Sequence, residues 1–451
     1  MSKDHEKDHD QKKPERRHRV ERSRRGTWVV RVPLVVVIGT VLVAILLLVI
    51  LWSTYRERDI YLQVKNPGEL GVLLPSIVGL TQSNLESGNS VQVLENGDGF
   101  FPLLLRDIAG ARETIHIESY IWWTGDICDQ VAAALAAKAR QGVEVRLLVD
   151  ASGGHKMDDR LQKMMGAAGV KLAAFHPLTF KNLGRLNNRD HRKIVIIDGH
   201  IGFIGGYGFA KEWTGHAQDK DHWRDTGLRI EGPVVNRLQA AFCENWIEET
   251  GEIPAGDKYF PRQPAVGTTP AHLAYTSPTG SVSSVELMYY LAIKAARHRI
   301  VIQNPYMLPN QAAISALADA VHRGVEVIVM VPGTDSTDSP IVQHASHHIF
   351  GTLLKRGVKV FEYNKTLLHQ KLIIVDGVWS CVGSTNFDDR SFDHNDEISM
   401  GIVDRGIAAQ LEAAFANDLR SAHQRQFEEW KNRPLWHKAM DGLAYLGSNQ
   451  L

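Results

Sequence analysis

Two periodicities alternate along this chain, and the alternation occurs twice. Residues 131–140 and 312–322 place apolar side chains at helical spacing. Each stretch ends in a glycine turn that leads into a β-rich segment, RQGVEVRLLVD at 140–150 and HRGVEVIVMVP at 322–332. A further helix, a second glycine turn (Gly169-Val170-Lys171 and Gly357-Val358-Lys359) and another strand follow in each copy. The series closes on an apolar run, residues 194–197 in the first copy, short enough to be a buried strand. Helices alternating with strands predict an α/β sandwich layered over a central sheet, and the repetition predicts an internal duplication.

The closing strand of each copy carries the chemistry. It reads HRKIVIID at 191–198 and HQKLIIVD at 369–376, and both follow the pattern His-x-Lys-x-x-x-x-Asp. Small-residue turns come next, Gly205-Gly206-Tyr207-Gly208 and Gly383-Ser384-Thr385-Asn386. Histidine and lysine two apart on an extended segment project from one face. A histidine can attack phosphorus to give a covalent phospho-histidine. A second can protonate the departing oxygen, because imidazole titrates near neutral pH. Two ammonium groups steady the non-bridging oxygens in the transition state. One such pattern is a weak signal; two in equivalent surroundings are a strong one. The two halves are therefore expected to face each other across one shared cleft.

The N-terminal region is of another kind. Residues 32–52 form an apolar run without a charge, about the ~20 residues that cross a bilayer as a helix. Trp28 and Arg31 precede it; Trp52, Tyr55 and Arg56 close it, as interfacial anchors do. A cleaved signal peptide is the rival, but Ile50-Leu51-Trp52 offers no small-residue cleavage site. Residues 1–31 hold 11 Lys/Arg against 6 Asp/Glu and read as a disordered basic tail. That charge favours a cytoplasmic N-terminus and a single pass. The catalytic body then lies on the far side, periplasmic or otherwise extracytoplasmic if the source is bacterial. A bilayer is accordingly an expected partner.

The 451 residues carry 51 Lys/Arg and 51 Asp/Glu, so a basic tail leaves the body slightly acidic, which disfavours nucleic acid as a partner. Oligomeric state is not legible. Cys128, Cys243 and Cys381 lack metal spacing and form no even disulfide set. His344, His347 and His348 cluster in a helical stretch, 339–354, without an evident further ligand. The proposed chemistry needs no metal, and no cofactor is expected. Trp122-Trp123, Trp213 and Tyr306-Met307-Leu308 are candidates for an apolar lip or for ordinary core. The segment 427–446 either packs on the body or lies on a membrane surface.

At these residues the chain resembles the phospholipase D superfamily, and more closely its bacterial cardiolipin synthases. The two motifs carry the first likeness. IHIESY at 115–120, FIGG at 203–206, HWRDT at 222–226 and GSTNFDDRSF at 383–392 carry the second, and the similarity runs over about residues 91–422. The resemblance implies two duplicated phospholipase D-like α/β/α halves sharing one active site, preceded by one transmembrane helix. The expected layout is a tail at 1–31, a membrane helix at 32–52, a linker at 53–90 and a first domain at 91–255. A linker at 256–280, a second domain at 281–425 and a C-terminal tail at 426–451 follow. It implies that His191 is the nucleophile and His369 the general acid and then base, with the order open to exchange. Lys193 and Lys371 would grip phosphate with Ser384 and Asn386, and Asp225 and Glu397 would orient the histidines. Asp198 and Asp376 complete the catalytic motifs but sit at strand ends, where structural salt bridges are expected. Gly208 stands where the second copy has Asn386, so the first half lacks one phosphate donor.

The implied activity is phosphatidyl transfer between two phosphatidylglycerol molecules, making cardiolipin. A phosphodiesterase of the same superfamily, lipid hydrolase or tethered nuclease, is the first alternative. A catalytically silent lipid-binding scaffold is the second.

Overall fold

The computed structural model describes residues 25–54, 62–65, 68–179, 182, 185, 187–278 and 282–447. Most of the basic tail lies outside the described residues. The chain divides into two compact units, Met1–Tyr61 and Leu62–Leu451. The first contains the helix Arg25–Thr54, whose side chains are described for residues 34–48 and are all exposed. Among the described residues no helix is long and apolar enough to cross a membrane. The apolar run at 32–52 extends past the described side chains at both ends.

In the second unit the predicted duplication is visible strand by strand. Lys193–Ile197 pairs antiparallel with both Thr114–Ser119 and Ile201–Gly205. Its counterpart Leu372–Val375 lies in the same way between Arg299–Gln303 and Trp379–Gly383. Outward from each centre the order is parallel: Thr114–Ser119, Glu144–Asp150, Lys171–Phe175 in one half. Arg299–Gln303, Glu326–Pro332 and Lys359–Tyr363 repeat it in the other. Parallel neighbours require crossovers, and the helices Asp126–Arg140 and Gln311–His322 supply them. Both motif strands are buried on both faces, which is why they read as unbroken apolar runs.

The strands of both halves join into one 16-stranded sheet, and the halves meet where Glu86–Glu95 pairs with Thr269–Thr276. Three apolar cores follow. One lies beneath the helices of the first half, around Leu104, Val131, Leu135 and Trp213. A second lies beneath those of the other half, around Met288, Leu317 and Phe350. The third is shared: Ile194, Ile196, Leu238 and Phe242 meet Leu372, Ile374, Leu411 and Phe415. That shared core holds the two motif strands against a common interior.

The C-terminal segment packs on the body as two short helices, Phe427–Lys431 and Leu435–Tyr445. Trp430 donates its indole N–H to the carbonyl of His347 at 2.7 Å and fills a notch left by Gly351, where any Cβ would strike the ring. Of the expected apolar lip, Trp122 and Trp213 are fully buried, and Met307 and Leu308 are buried in a two-residue strand paired with Phe387–Asp388. Only Trp123 and Tyr306 keep partial exposure.

Candidate active site

The two motif histidines are held by the opposite half, twice over. The backbone N–H of His191 donates to the carbonyl of Asp396 at 2.9 Å, and that of His369 donates to Arg224 at 2.8 Å. The next residue along each receiving segment supplies a carboxylate. His191 Nδ1 lies 2.8 Å from Glu397 Oε1, and His369 Nδ1 lies 2.8 Å from Asp225 Oδ2. One local pairing therefore sets both the ring and its partner acid, and neither half can build its histidine site alone. With Nδ1 engaged, Nε2 is the nitrogen left for chemistry on each ring.

The lysines sit on the same floor. Lys193 Nζ donates to the His191 carbonyl at 2.7 Å, and Lys371 Nζ to that of His369 at 2.6 Å. Lys371 Nζ also comes within 3.1 Å of His369 Nε2. Burial and the Lys371 charge bring Lys193 down to about 7, while burial brings Lys371 to about 8 against the pull of Asp225 and Glu397. Burial and both lysines hold His191 well below its ordinary range. Burial and Lys371, with a smaller contribution from Lys193, bring His369 to about 4. Each lysine thus acts on the histidine of the other half. That mutual influence is the electrostatic signature of one shared cluster.

The two carboxylates differ. Burial raises Glu397 to about 7 against the opposing Lys193 charge. Burial also pushes Asp225 upward, but His369 and Lys371 outweigh it and hold Asp225 below the usual carboxylate range. Asp225 accepts from the Trp213 indole at 2.9 Å and from the Thr226 backbone N–H at 2.8 Å. Glu397 accepts from the Ser384 hydroxyl and, at 3.4 Å, from the Asn395 amide. Aromatic rings wall both histidines. Tyr120 stands edge-on to His191 with centroids 5.0 Å apart; Trp213 and Trp223 stand 5.1 and 5.5 Å from His369.

Three expectations change. Ser384 was expected on phosphate, but its hydroxyl donates to Glu397, so it positions the acid that orients His191. Asn386 is buried; the phosphate role expected of it would fall to its Nδ2 donor, since its Oδ1, unpartnered among the described residues, can only accept. Asp198 and Asp376 make no salt bridge among the described residues. Each carboxylate instead accepts three consecutive backbone N–H groups, Arg112, Glu113 and Thr114 or Arg297, His298 and Arg299. Both have left-handed backbone, φ 51° and 53°, and close the turn after the strand. A strand of that length puts them about 15 Å from the lysine end, too far to touch a reacting phosphorus.

The glycine asymmetry also acquires a cause. A Cβ at Gly208 would lie 3.0 Å from the Trp213 ring, and one at Gly206 would collide with the Asp225 carboxylate. The first half gives up the serine and asparagine of the second to admit a tryptophan donor. Trp213 was legible only as an aromatic, since nothing in its spacing marks it as Asp225's partner. Among the described residues no three His, Cys, Asp or Glu side chains are grouped to hold a metal. His344 pairs with Asp441, and His348 stacks on Tyr445.

Comparison with known proteins agrees with the two-half architecture. The family profile described as "Cardiolipin synthase, PLD-like domain" matches residues 104–246 and 289–419, one segment in each half. The chain belongs to that family. Cardiolipin synthase 2 of Staphylococcus epidermidis is 34% identical over 80% of this chain and 74% of its own length. A probable cardiolipin synthase of Bacillus subtilis is 36% identical over 82% and 73%. Among solved structures, phosphatidylserine synthase from Haemophilus influenzae superposes with a TM-score of 0.63 at 13% identity. That alignment covers 83% of this chain and 98% of the other, and it shows the shared fold. The family is one of enzymes of the phospholipase D superfamily, and the duplicated architecture is its own.

Proposed function

We propose that this family member transfers a phosphatidyl group from one phosphatidylglycerol to the terminal hydroxyl of another, making cardiolipin and releasing glycerol. The observation that carries the reading is the reciprocal histidine–carboxylate pairing across the halves, combined with family membership. In the first step Nε2 of His191 attacks phosphorus and the P–O bond to the departing glycerol breaks, while His369 gives that oxygen a proton. In the second, His369 takes a proton from the acceptor hydroxyl. The acceptor oxygen then attacks phosphorus, and the P–N bond returns its electrons to His191. Lys193, Lys371 and Asn386 face the non-bridging oxygens.

The carboxylates support this order of roles. Asp225 is held ionised and pulls His369 toward its charged form, against the burial and the Lys371 charge that bring the ring to about 4, so His369 is the ring with the stronger carboxylate behind it. Glu397, raised to about 7, is a weaker anion and leaves His191 neutral for attack. The rings around both histidines favour a dry intermediate, which transfer needs if it is to outrun hydrolysis.

The membrane placement is part of the same proposal. The exposed apolar side chains at 34–48 and the charge-free run at 32–52 support a single-pass anchor. The basic tail would stay cytoplasmic and the body extracytoplasmic. Purified protein given labelled phosphatidylglycerol is expected to release cardiolipin and glycerol. Phosphatidic acid as sole lipid product, or cleavage of single-stranded DNA in its place, would replace the transferase reading with a hydrolase.

A further inference from the structure

The helix Leu435–Tyr445 is built inside out. Its inward side carries a charge: Asp441 is fully buried, 2.7 Å from His344 Nδ1, and accepts from Arg433 Nε at 2.8 Å. Its outward side is apolar along its whole length. Leu435, Trp436, Met440 and Leu443 are 81, 61, 46 and 64% exposed, and the capping Leu446 is 84% exposed. At 100° per residue these positions, with the exposed Ala439, fall within one arc of about 140°. A surface helix of a soluble protein normally turns that stripe inward. Here the Arg433–Asp441 ion pair, the His344–Asp441 hydrogen bond and the Tyr445–His348 stack, with centroids 4.5 Å apart, hold the opposite rotation in place.

Two further features fix where this stripe lies. His437 and Asp441 meet His344, and Tyr445 meets His348, so the helix runs in the same direction as Pro340–Lys355. Its exposed start therefore lies toward Pro340 and the exposed Ile341. Just ahead of Pro340, Asp338 accepts from the Tyr306 hydroxyl at 2.9 Å, and its charge reaches Lys371. The stripe thus begins at the active-site end of the second half. The body's first helix, Leu70–Leu80, shares the same apolar core and turns Val72 and Leu80 outward. Only residues 55–61 separate the apolar helix Arg25–Thr54 from Leu62, where the body begins.

We infer that the outward face of Leu435–Leu446 inserts into the interfacial layer of a phospholipid bilayer and sets the active-site mouth at the membrane surface. The inference rests on the phospholipid-transferase reading above. A bilayer fits this face better than a protein does. The stripe offers on the order of 300 Å², well short of the ~800 Å² per partner of a stable protein pair. Trp436 with Lys438 beside it is the residue pair that interfacial helices place at headgroup level.

The test uses the full chain reconstituted in vesicles of phosphatidylglycerol and phosphatidylcholine. Its three native cysteines are buried, so Leu443→Cys and, as a distant exposed control, Arg160→Cys can each be labelled with an environment-sensitive fluorophore. Lipids with brominated acyl chains are expected to quench the label at 443 at least about two-fold more than the label at 160. Equal quenching at the two sites overturns the inference. So does self-quenching at 443 that follows protein density and ignores brominated lipid, which would mark a second copy as the occupant. Trp436→Glu combined with Leu443→Glu should lower turnover of vesicle phosphatidylglycerol about ten-fold and leave dispersed short-chain phosphatidylglycerol unaffected. If the unaltered chain turns over neither substrate, the transferase reading fails while the quenching still reports docking.

Discussion

The two halves orient one histidine each by the same backbone device and then diverge in the residues behind it. His191 is backed by Glu397, Ser384 and Asn395; His369 is backed by Asp225, Trp213 and Thr226. The first set leaves its carboxylate raised to about 7, and the second holds its own below the usual range. Duplication makes the rings equivalent in position, and the donors make their carboxylates unequal in charge. One ancestral strand can thus yield two differently supported rings by changing what stands behind each.

The comparison can be broken most directly at the histidines. His191→Ala and His369→Ala should each lower turnover of phosphatidylglycerol by roughly 10⁴-fold or more, with folding preserved by circular dichroism. A phosphodiester with a p-nitrophenolate leaving group needs no acid, so His369→Ala should still release a burst of p-nitrophenol and His191→Ala should not. The reverse pattern would exchange the two roles. Next come the carboxylates. Asp225→Asn should lower kcat by about 10²- to 10³-fold, and Glu397→Gln by less, because only Asp225 is needed as an anion. Equal losses would mean that the halves do not differ in charge. Smaller effects are expected at the donors: Trp213→Phe and Ser384→Ala should each cost about ten-fold in kcat with KM little changed. A rise in KM alone at Ser384→Ala would return that hydroxyl to phosphate.

The smallest effect concerns stability. Lys193 falls from the ordinary lysine range to about 7 on folding. Between that value and its unfolded pKa the unfolded chain binds more protons, so this group makes stability rise with pH through that window. Lys193→Met should remove that slope and raise Tm by about 3–5 °C near neutral pH. An unchanged pH profile of Tm would place Lys193 in contact with water.

Much of the candidate site was legible because its histidine and lysine pairs are local in sequence. His191 with Lys193, and His369 with Lys371, are two residues apart on strands whose apolar runs declare burial on both faces. The acids Asp225 and Glu397 were reached through resemblance to a family, since no spacing connects them to rings more than a hundred residues away in one case and two hundred in the other. Trp213 proved to be core, as one of its two readings had it, but its bond to Asp225 was not legible because an indole N–H shows no preference for a partner until the partner is in place. Asp198 and Asp376 were misread as salt-bridged because a carboxylate beside a turn satisfies itself on backbone N–H groups as readily as on a cation. The inverted helix at 435–445 could not be seen at all: its periodicity states that one face is apolar, not which way that face turns.

The chain by itself determined the repeat, the strand-and-helix alternation, the two motif histidines and their lysines, because period and composition are properties of neighbours along the backbone. Tertiary structure alone decided that each imidazole takes its acid from the other half. It also decided that one acid is ionised and the other raised, and that Gly206 and Gly208 exist to admit a carboxylate and an indole. Those outcomes depend on desolvation and on charges brought together from distant segments, and no linear pattern encodes the distance between them.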